Sequence, residues 1–245
     1  MPGFLLHLYG PMQSWADTGF GQLREAGEFP GRAAVLGLVA AAEGIPRADD
    51  RLLGLHTALR VHAATVRSGR VLRDFHTVET RAGKPRTLTS RDYHHDAHFV
   101  VLVEGGADAV AAAERALQRP VYATFLGRRS CPPALPLLPE PAGEDPFAAL
   151  CAAARATARA FPRDDASWRR GRVDDRLTVW LDGYFDPARL PGALAGAASP
   201  TYGTRRTNLI GPRRAYAAAP FTRLHLPVSD SSSNNEHQAY FDALP

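Results

Sequence analysis

An α+β fold is predicted for this chain by three observations. Short apolar segments bounded by turn residues recur along its first half. Two helical segments interrupt them in the order strand, helix, strand, strand, helix, strand. A proline-rich stretch then separates a C-terminal part of different character. The βαββαβ order is that of ferredoxin-like folds, which include the RNA-recognition type. The fold alone does not assign a function, because many functions use it.

Each element has a local reason. Residues 4–9 (FLLHLY) open the chain as a short apolar strand, Gly10-Pro11 breaks it, and Met12-Gln13-Ser14-Trp15 follows as a loop. Phe29-Pro30-Gly31 is turn chemistry. Over residues 32–43, Ala, Val, Leu and Gly fill nearly every position, which predicts a buried helix ended by Gly44 and Pro46. Residues 59–66 alternate apolar and polar side chains and read as a strand, with residues 70–76 able to return as its hairpin partner across Ser68-Gly69. Residues 77–96 are polar, contain Gly83 and Pro85, and predict a projecting hairpin or loop. Residues 98–103 form the next strand. Asp108 is placed to cap a helix running to about Gln118, with Val110, Ala113 and Leu117 on one face and Pro120 closing it. Residues 121–125 are expected as the fourth strand, feeding into Leu126-Gly127-Arg128-Arg129-Ser130-Cys131-Pro132.

The expected division is residues 1–133, ferredoxin-like with the projection at about 77–96, and residues 134–245, a linker and a small β-rich region. In the second part residues 146–160 are an alanine-rich helix candidate. Residues 177–181, the stretch around Tyr216 and residues 221–228 are strand candidates, and the polar residues from Asp230 on are expected to be loose.

Composition narrows the function classes. With 245 residues, 45% of them hydrophobic, the chain can bury a sizeable core. No apolar run approaches the roughly 20 residues needed to span a bilayer, and no secretory signal opens the chain. Two cysteines, Cys131 and Cys151, provide neither a disulfide framework nor a CxxC zinc site. These features point to the cytoplasm, no membrane partner, no metal and no cofactor. The net charge is +4 and the isoelectric point near 9.4, with Lys84 the only lysine. An arginine-rich balance suits phosphates and bases, because guanidinium pairs and stacks in one plane; a GC-rich genome produces the same bias.

Placement says more than number. From Arg67 to Arg91 there are seven basic residues against Asp74 and Glu79, and from Thr201 to His225 five arginines and no acids. Two basic zones separated by an acid-richer one suggest a groove for a polyanion, although solvated loops carry such charge too. Phe75, His76, Tyr93, His94 and His95 in the first zone can stack on unpaired bases. Arg32, directly after Pro30-Gly31 at a helix start, is placed to meet an anion. Gly-Arg-Arg by itself is a common surface turn; its position after the expected fourth strand makes it a candidate phosphate site. Metal-independent RNA cleavage would need a base and an acid, for which His76, Tyr93, His94 and His95 are the candidates. Neighbouring His94 and His95 point to opposite sides of a strand.

Four stretches in order carry a family resemblance: Gly10-Pro11-Met12-Gln13-Ser14-Trp15; Phe29-Pro30-Gly31-Arg32 leading into Ala33-Ala34-Val35-Leu36-Gly37-Leu38; Arg73-Asp74-Phe75-His76-Thr77-Val78; and Leu126-Gly127-Arg128-Arg129-Ser130-Cys131-Pro132. Together they closely resemble the CasD subunits of type I-E CRISPR Cascade, in the fifth family of CRISPR-associated proteins and the repeat-associated mysterious protein superfamily. The anchors cover residues 4 to about 138. The resemblance implies a ferredoxin-like palm with a protruding thumb, and an antiviral ribonucleoprotein complex in which such subunits hold the 5′ handle of the CRISPR RNA. It implies contact with the Cascade backbone subunit and large subunit, and with target DNA only through the complex. Carried over by motif, Met12, Gln13 and Trp15 would lie near the handle or a partner subunit. Arg32 would meet a phosphate, His76 would stand at the thumb base, and Arg128, Arg129 and Ser130 would bind handle backbone or bases. Arg81, Lys84, Arg86 and Arg91 are thumb contacts expected from charge. The type I-E relatives imply a non-catalytic subunit. A type I-C relative cuts precursor RNA, which keeps a metal-independent endoribonuclease built on His76, Tyr93 and His94 as the alternative.

Overall fold

The computed structural model describes residues 1–15, 23–79, 86–160, 176–183, 198–206 and 216–228. Arg81, Lys84 and the stretch from Asp230 on lie outside them. The described elements are β1 (Gly3–Tyr9), β2 (Met12–Gln13), β3 (Leu23–Arg24), α1 (Arg32–Ala42), α2 (Arg51–Ala58), β4 (Leu59–Arg67), β5 (Arg70–Val78), β6 (Thr87–His95), β7 (His98–Gly105), α3 (Ala107–Gln118), β8 (Glu140–Pro141), α4 (Pro146–Ala160), β9 (Arg176–Asp182), β10 (Ala198–Arg206) and β11 (Tyr216–Pro227).

Strand alternation builds two cores on one sheet. Phe4, Leu6 and Leu8 of β1, Val61 and Ala63 of β4, and Phe99, Val101 and Val103 of β7 face α1 and α3. The intervening Leu5, Ala64, Val66, Val100 and Leu102 face Phe147, Leu150 and Ala154 of α4. Every residue of β7 is buried, which is why HFVVLVEG is apolar almost throughout. Each fully buried Leu, Val or Phe contributes about 1.5–3 kcal/mol.

The sheet has seven strands in the order β10-β11-β9-β4-β7-β1-β8, and all its pairings are antiparallel. The C-terminal strands, expected as a β region of their own, continue this sheet where Ala63–Thr65 pairs with Thr178–Trp180 in β9. A smaller four-stranded sheet joins β2 and β3 to the hairpin β5–β6.

Three expectations are corrected. First, β5 does not return on β4. It pairs along its whole length with β6, from Arg70 opposite His95 to Val78 opposite Thr87, so the projection begins at residue 70. Second, residues 121–125 form no strand. The Val121 and Tyr122 N–H groups donate to the Ala42 and Ala41 carbonyls (2.9 and 3.1 Å), satisfying the last turn of α1. The place beside β1 is taken instead by β8, with Phe4 opposite Pro141. Third, α3 is capped by Gly106 in extended conformation, and Asp108 sits inside its first turn. Helix α2 has no counterpart among the elements expected from the sequence. Among the described residues no helix is long and apolar enough to cross a membrane.

Candidate nucleic-acid interface

The Gly127 loop is held by short backbone bonds. Leu126, fully buried, donates to the Cys131 carbonyl at 2.7 Å, and Cys131 donates to the Arg128 carbonyl at 2.9 Å. The Ser14 N–H reaches the Leu126 carbonyl at 3.0 Å, so the first loop and the Gly127 loop are joined. Gly127 has φ +84°, and a Cβ there would stand 1.9 Å from the Ser14 carbonyl oxygen. Only glycine permits that approach. The loop motif and the Gly10–Trp15 motif are thus two halves of one construction.

That construction also places Met12, Gln13 and Trp15. Gln13 is fully buried: its amide donates to the Leu8 and Ala97 carbonyls (3.2 and 2.6 Å) and its oxygen accepts from Trp15 Nε1 at 2.8 Å. Trp15 is 1% exposed. Met12 packs partly buried against the same core. Gln13 and Trp15 support the loop from beneath as buried side chains, and Met12 is half-buried beside them.

Arg128 extends from the loop to β6. Its Nη1 donates to the Tyr93 hydroxyl, and its guanidinium carbon lies 5.4 Å from the Tyr93 ring centroid. Arg129 and Ser130 are exposed. Arg128 and Arg129, but not Ser130, edge a cleft of about 1340 Å³ whose lining, among the described residues, includes Arg24, Arg47, Arg91, Arg128 and Arg129 and no carboxylate. Its floor is the small-residue face of α1, Ala33, Ala34, Gly37 and Ala41, with Phe125 and Tyr122 at the side. Arg91 is half-buried and its Nε makes no hydrogen bond among the described residues. A basic rim over an apolar floor offers donors for phosphates and a surface for a base.

The other expected residues stand elsewhere. Arg32 does not face an open anion site. Its Nη1 donates to Asp182 Oδ2 at 2.8 Å, and its Nη2 donates to the Leu59 carbonyl at 2.8 Å and to the His56 carbonyl. The two side chains are 14% and 3% exposed. Asp182 is brought there by β9, and its N–H donates to His62 Nδ1 at 3.1 Å. That bond leaves the proton on His62 Nε2, which faces Glu104 Oε1 at 3.1 Å. His76 lies opposite Thr89, six residues out from the start of β5 rather than at the hairpin base, with Nδ1 3.0 Å from Asp74 Oδ2. Arg86 is exposed beyond the cleft, just before β6.

The residues of the catalytic alternative are dispersed. Tyr93 and His94 are buried on opposite faces of β6, and His94 Nε2 donates to the Gly27 carbonyl at 2.7 Å. His76 shares the Tyr93 face, but Tyr93 is four residues along β6 from the Thr89 partner of His76, about 13 Å. Sequence reading missed Arg24, Arg47 and the Asp182 partner of Arg32. None stands in a local motif; Asp182 is 150 residues from Arg32.

The family model described as CRISPR-associated protein (Cas_Cas5) matches residues 3–206. The chain belongs to the CRISPR-associated Cas5 family. This Cas5-family chain is 36% identical over 152 residues to the CRISPR system Cascade subunit CasD of Escherichia coli (strain K12), covering 54% of this chain and 68% of that protein. Its fold is similar to a chain of a CRISPR RNA-guided surveillance complex, with TM-score 0.60 and 24% identity over 92% of this chain and 91% of that one. A crystal structure of a Cas protein matches with TM-score 0.56 and 22% identity, over 92% and 95% of the two chains.

Proposed function

We propose that this Cas5-family chain is a guide-RNA-binding subunit of a type I-E CRISPR surveillance complex, in antiviral defence in the cytoplasm. It holds the 5′ handle of the CRISPR RNA, joins the backbone and large subunits, and meets target DNA only through the complex. The observation that carries this reading is the cleft lined, among the described residues, by five arginines and no carboxylate, with the Gly127 loop at its edge. The likeness to a Cascade subunit supports the assembly, and the cleft supports the RNA role. In this reading β8-β1-β7-β4, with α1 and α3 on one face, is a ferredoxin-like palm whose fourth strand is reduced to a stub, and β5–β6 is the thumb.

The subunit positions RNA without cutting it and uses no metal or cofactor. The dispersal of His76, Tyr93 and His94 supports the absence of cutting. The test uses the assembled complex with its guide RNA. Arg128→Ala with Arg129→Ala is expected to weaken RNA retention at least tenfold and to flatten its salt dependence by about 1.4 in log–log slope, about 0.7 for each phosphate that no longer has an arginine to neutralise it. Unchanged retention and slope would remove the cleft from the RNA path. Site-specific cleavage of repeat RNA by the purified chain in EDTA, abolished by His76→Ala, would instead establish the nuclease.

A further inference from the structure

The two ends of the seven-stranded sheet are blunted. β8 is two residues long and ends in Pro141, and β10 carries Pro200. Short strands and prolines keep a sheet edge from pairing with another chain. The hairpin is built differently. Its strand β5 is nine residues long, pairs with β6 without a bulge and contains no proline or lysine. Among the described residues no strand covers its other side. Val71, Leu72 and Phe75 of β5 are 61%, 49% and 65% exposed, with Val71 and Phe75 on one face of the ribbon and Leu72 on the other. A long, regular edge with apolar side chains on both faces is a template for a further strand.

The sequence of β5 is complementary to itself. When a strand pairs antiparallel with its own copy, opposed residues have the same parity, so the twofold axis passes through a residue. Centred on Arg73, Asp74 or His76, the pairing sets two identical ionisable side chains opposite each other. Centred farther out, it shortens the overlap. Centred on Phe75, it sets the two Phe75 rings together, Leu72 opposite Val78 and Asp74 opposite His76, the last two pairs occurring twice. Asp74 and His76 are part-exposed and already stand 3.0 Å apart within one chain. Across the axis the two pairs form a square of alternating carboxylates and imidazoles. We infer that β5 is a self-recognition edge: in the free chain it pairs antiparallel with β5 of a second copy, centred on Phe75, and the two hairpins join as one ribbon in the order β6-β5-β5-β6. The inference goes beyond the RNA-binding reading of the cleft and does not depend on it. A single strand edge buries less than a standard interface of about 1,600 Å², so the dimer is weak and dissociates on dilution. It covers an apolar edge while the chain stands alone, and it competes with any partner that takes the same edge.

The experiment is sedimentation of the full chain over a range of concentrations, where a reversible monomer–dimer equilibrium is expected. Phe75→Lys sets two ammonium groups opposite each other and should weaken the dimer at least tenfold. Its position is exposed, so the thermal midpoint should stay the same. His76→Lys, opposite Asp74, should hold or tighten the dimer, and His76→Glu should weaken it about threefold. Cross-linking checks the register. Directly opposed residues have Cβ atoms about 4.5–5.5 Å apart, so Phe75→Cys should join two chains under mild oxidation, while Cys131 and Cys151 are buried. Leu88→Cys is also exposed on the Phe75 face, but it stands on β6, one strand farther from the axis in each copy, and should not cross-link. A chain that stays monomeric at every concentration overturns the inference. So does a dimer unmoved by Phe75→Lys, or one that cross-links through Leu88→Cys as readily as through Phe75→Cys.

Discussion

Gly31-Arg32 and Gly127-Arg128 are the same dipeptide in two settings. At the start of α1 the guanidinium turns inward, between Asp182 of β9 and the carbonyls of His56 and Leu59. At the Gly127 loop it lies along Tyr93 at the edge of a cleft that no carboxylate lines among the described residues. The first arginine joins β9 to the helical layer, and the second lines the cleft beside Tyr93. What distinguishes them is the neighbour the topology delivers, not the residues beside them in the chain.

The contrast can be broken from either side. The largest effect is expected from Arg32→Ala, which leaves the Asp182 carboxylate buried without its guanidinium at a cost of about 3–5 kcal/mol. The thermal midpoint should fall by roughly 10 °C, while the salt slope of RNA binding in the folded fraction stays the same. A changed slope would mean that Arg32 contacts phosphate after all. Gly127→Ala follows, because it forces a Cβ against Ser14 O at a left-handed φ. We expect stability to fall by about 3 kcal/mol and RNA retention to fall with it, since the loop cannot keep its shape. Calorimetry and a filter-binding assay on one preparation would show whether the two effects travel together.

Tyr93→Phe is a finer probe. It keeps the ring under Arg128 and removes one hydrogen bond to a charged group, a net of about 1.5–3 kcal/mol at most where that bond is dry. RNA affinity should fall a few-fold in the otherwise unaltered chain and not at all in an Arg128→Ala background. A drop in that background would show that Tyr93 acts on RNA directly. The smallest effect is expected in the hairpin. Hydrogen bonds from Arg73 (2.7 and 2.9 Å) hold the Asp92 carboxyl below its ordinary value. A carboxyl lowered on folding stabilises above its unfolded pKa, near 3.9, and this contribution disappears as pH falls through the folded value. The thermal midpoint should therefore drop on acidification below about pH 4, and less so in Arg73→Gln. An equal drop in both would detach the acid response from this pair.

The strands and helices were legible where one residue decides its own environment. The alternation in β1 and the unbroken apolar run in β7 announce sheet faces, and the Ala- and Leu-rich stretch of α1 announces a buried helix. The Gly127 loop was legible as a glycine with two arginines, though not the reason for the glycine, which is the carbonyl of Ser14. What the sequence could not display was partnership across distance. Residues 121–125 have the composition of a strand, but the Val121 and Tyr122 N–H groups go to the end of α1. Gln13 and Trp15 look like loop residues and are a buried pair bonded to each other. Arg32 has every local mark of an anion site, and Asp182 cancels it from 150 positions away.

The pairing of β4 with β9 also has a consequence in time. Ala63 meets Trp180, and β9 is in turn flanked by β11, which ends at Pro227. Such long-range pairing must close a loop of more than a hundred residues before it yields any stabilisation, and folds dominated by it assemble slowly. During synthesis the β4 edge waits, unpaired, while the ribosome adds the residues that will cover it. Arg32 likewise finds its Asp182 partner only once β9 has been made.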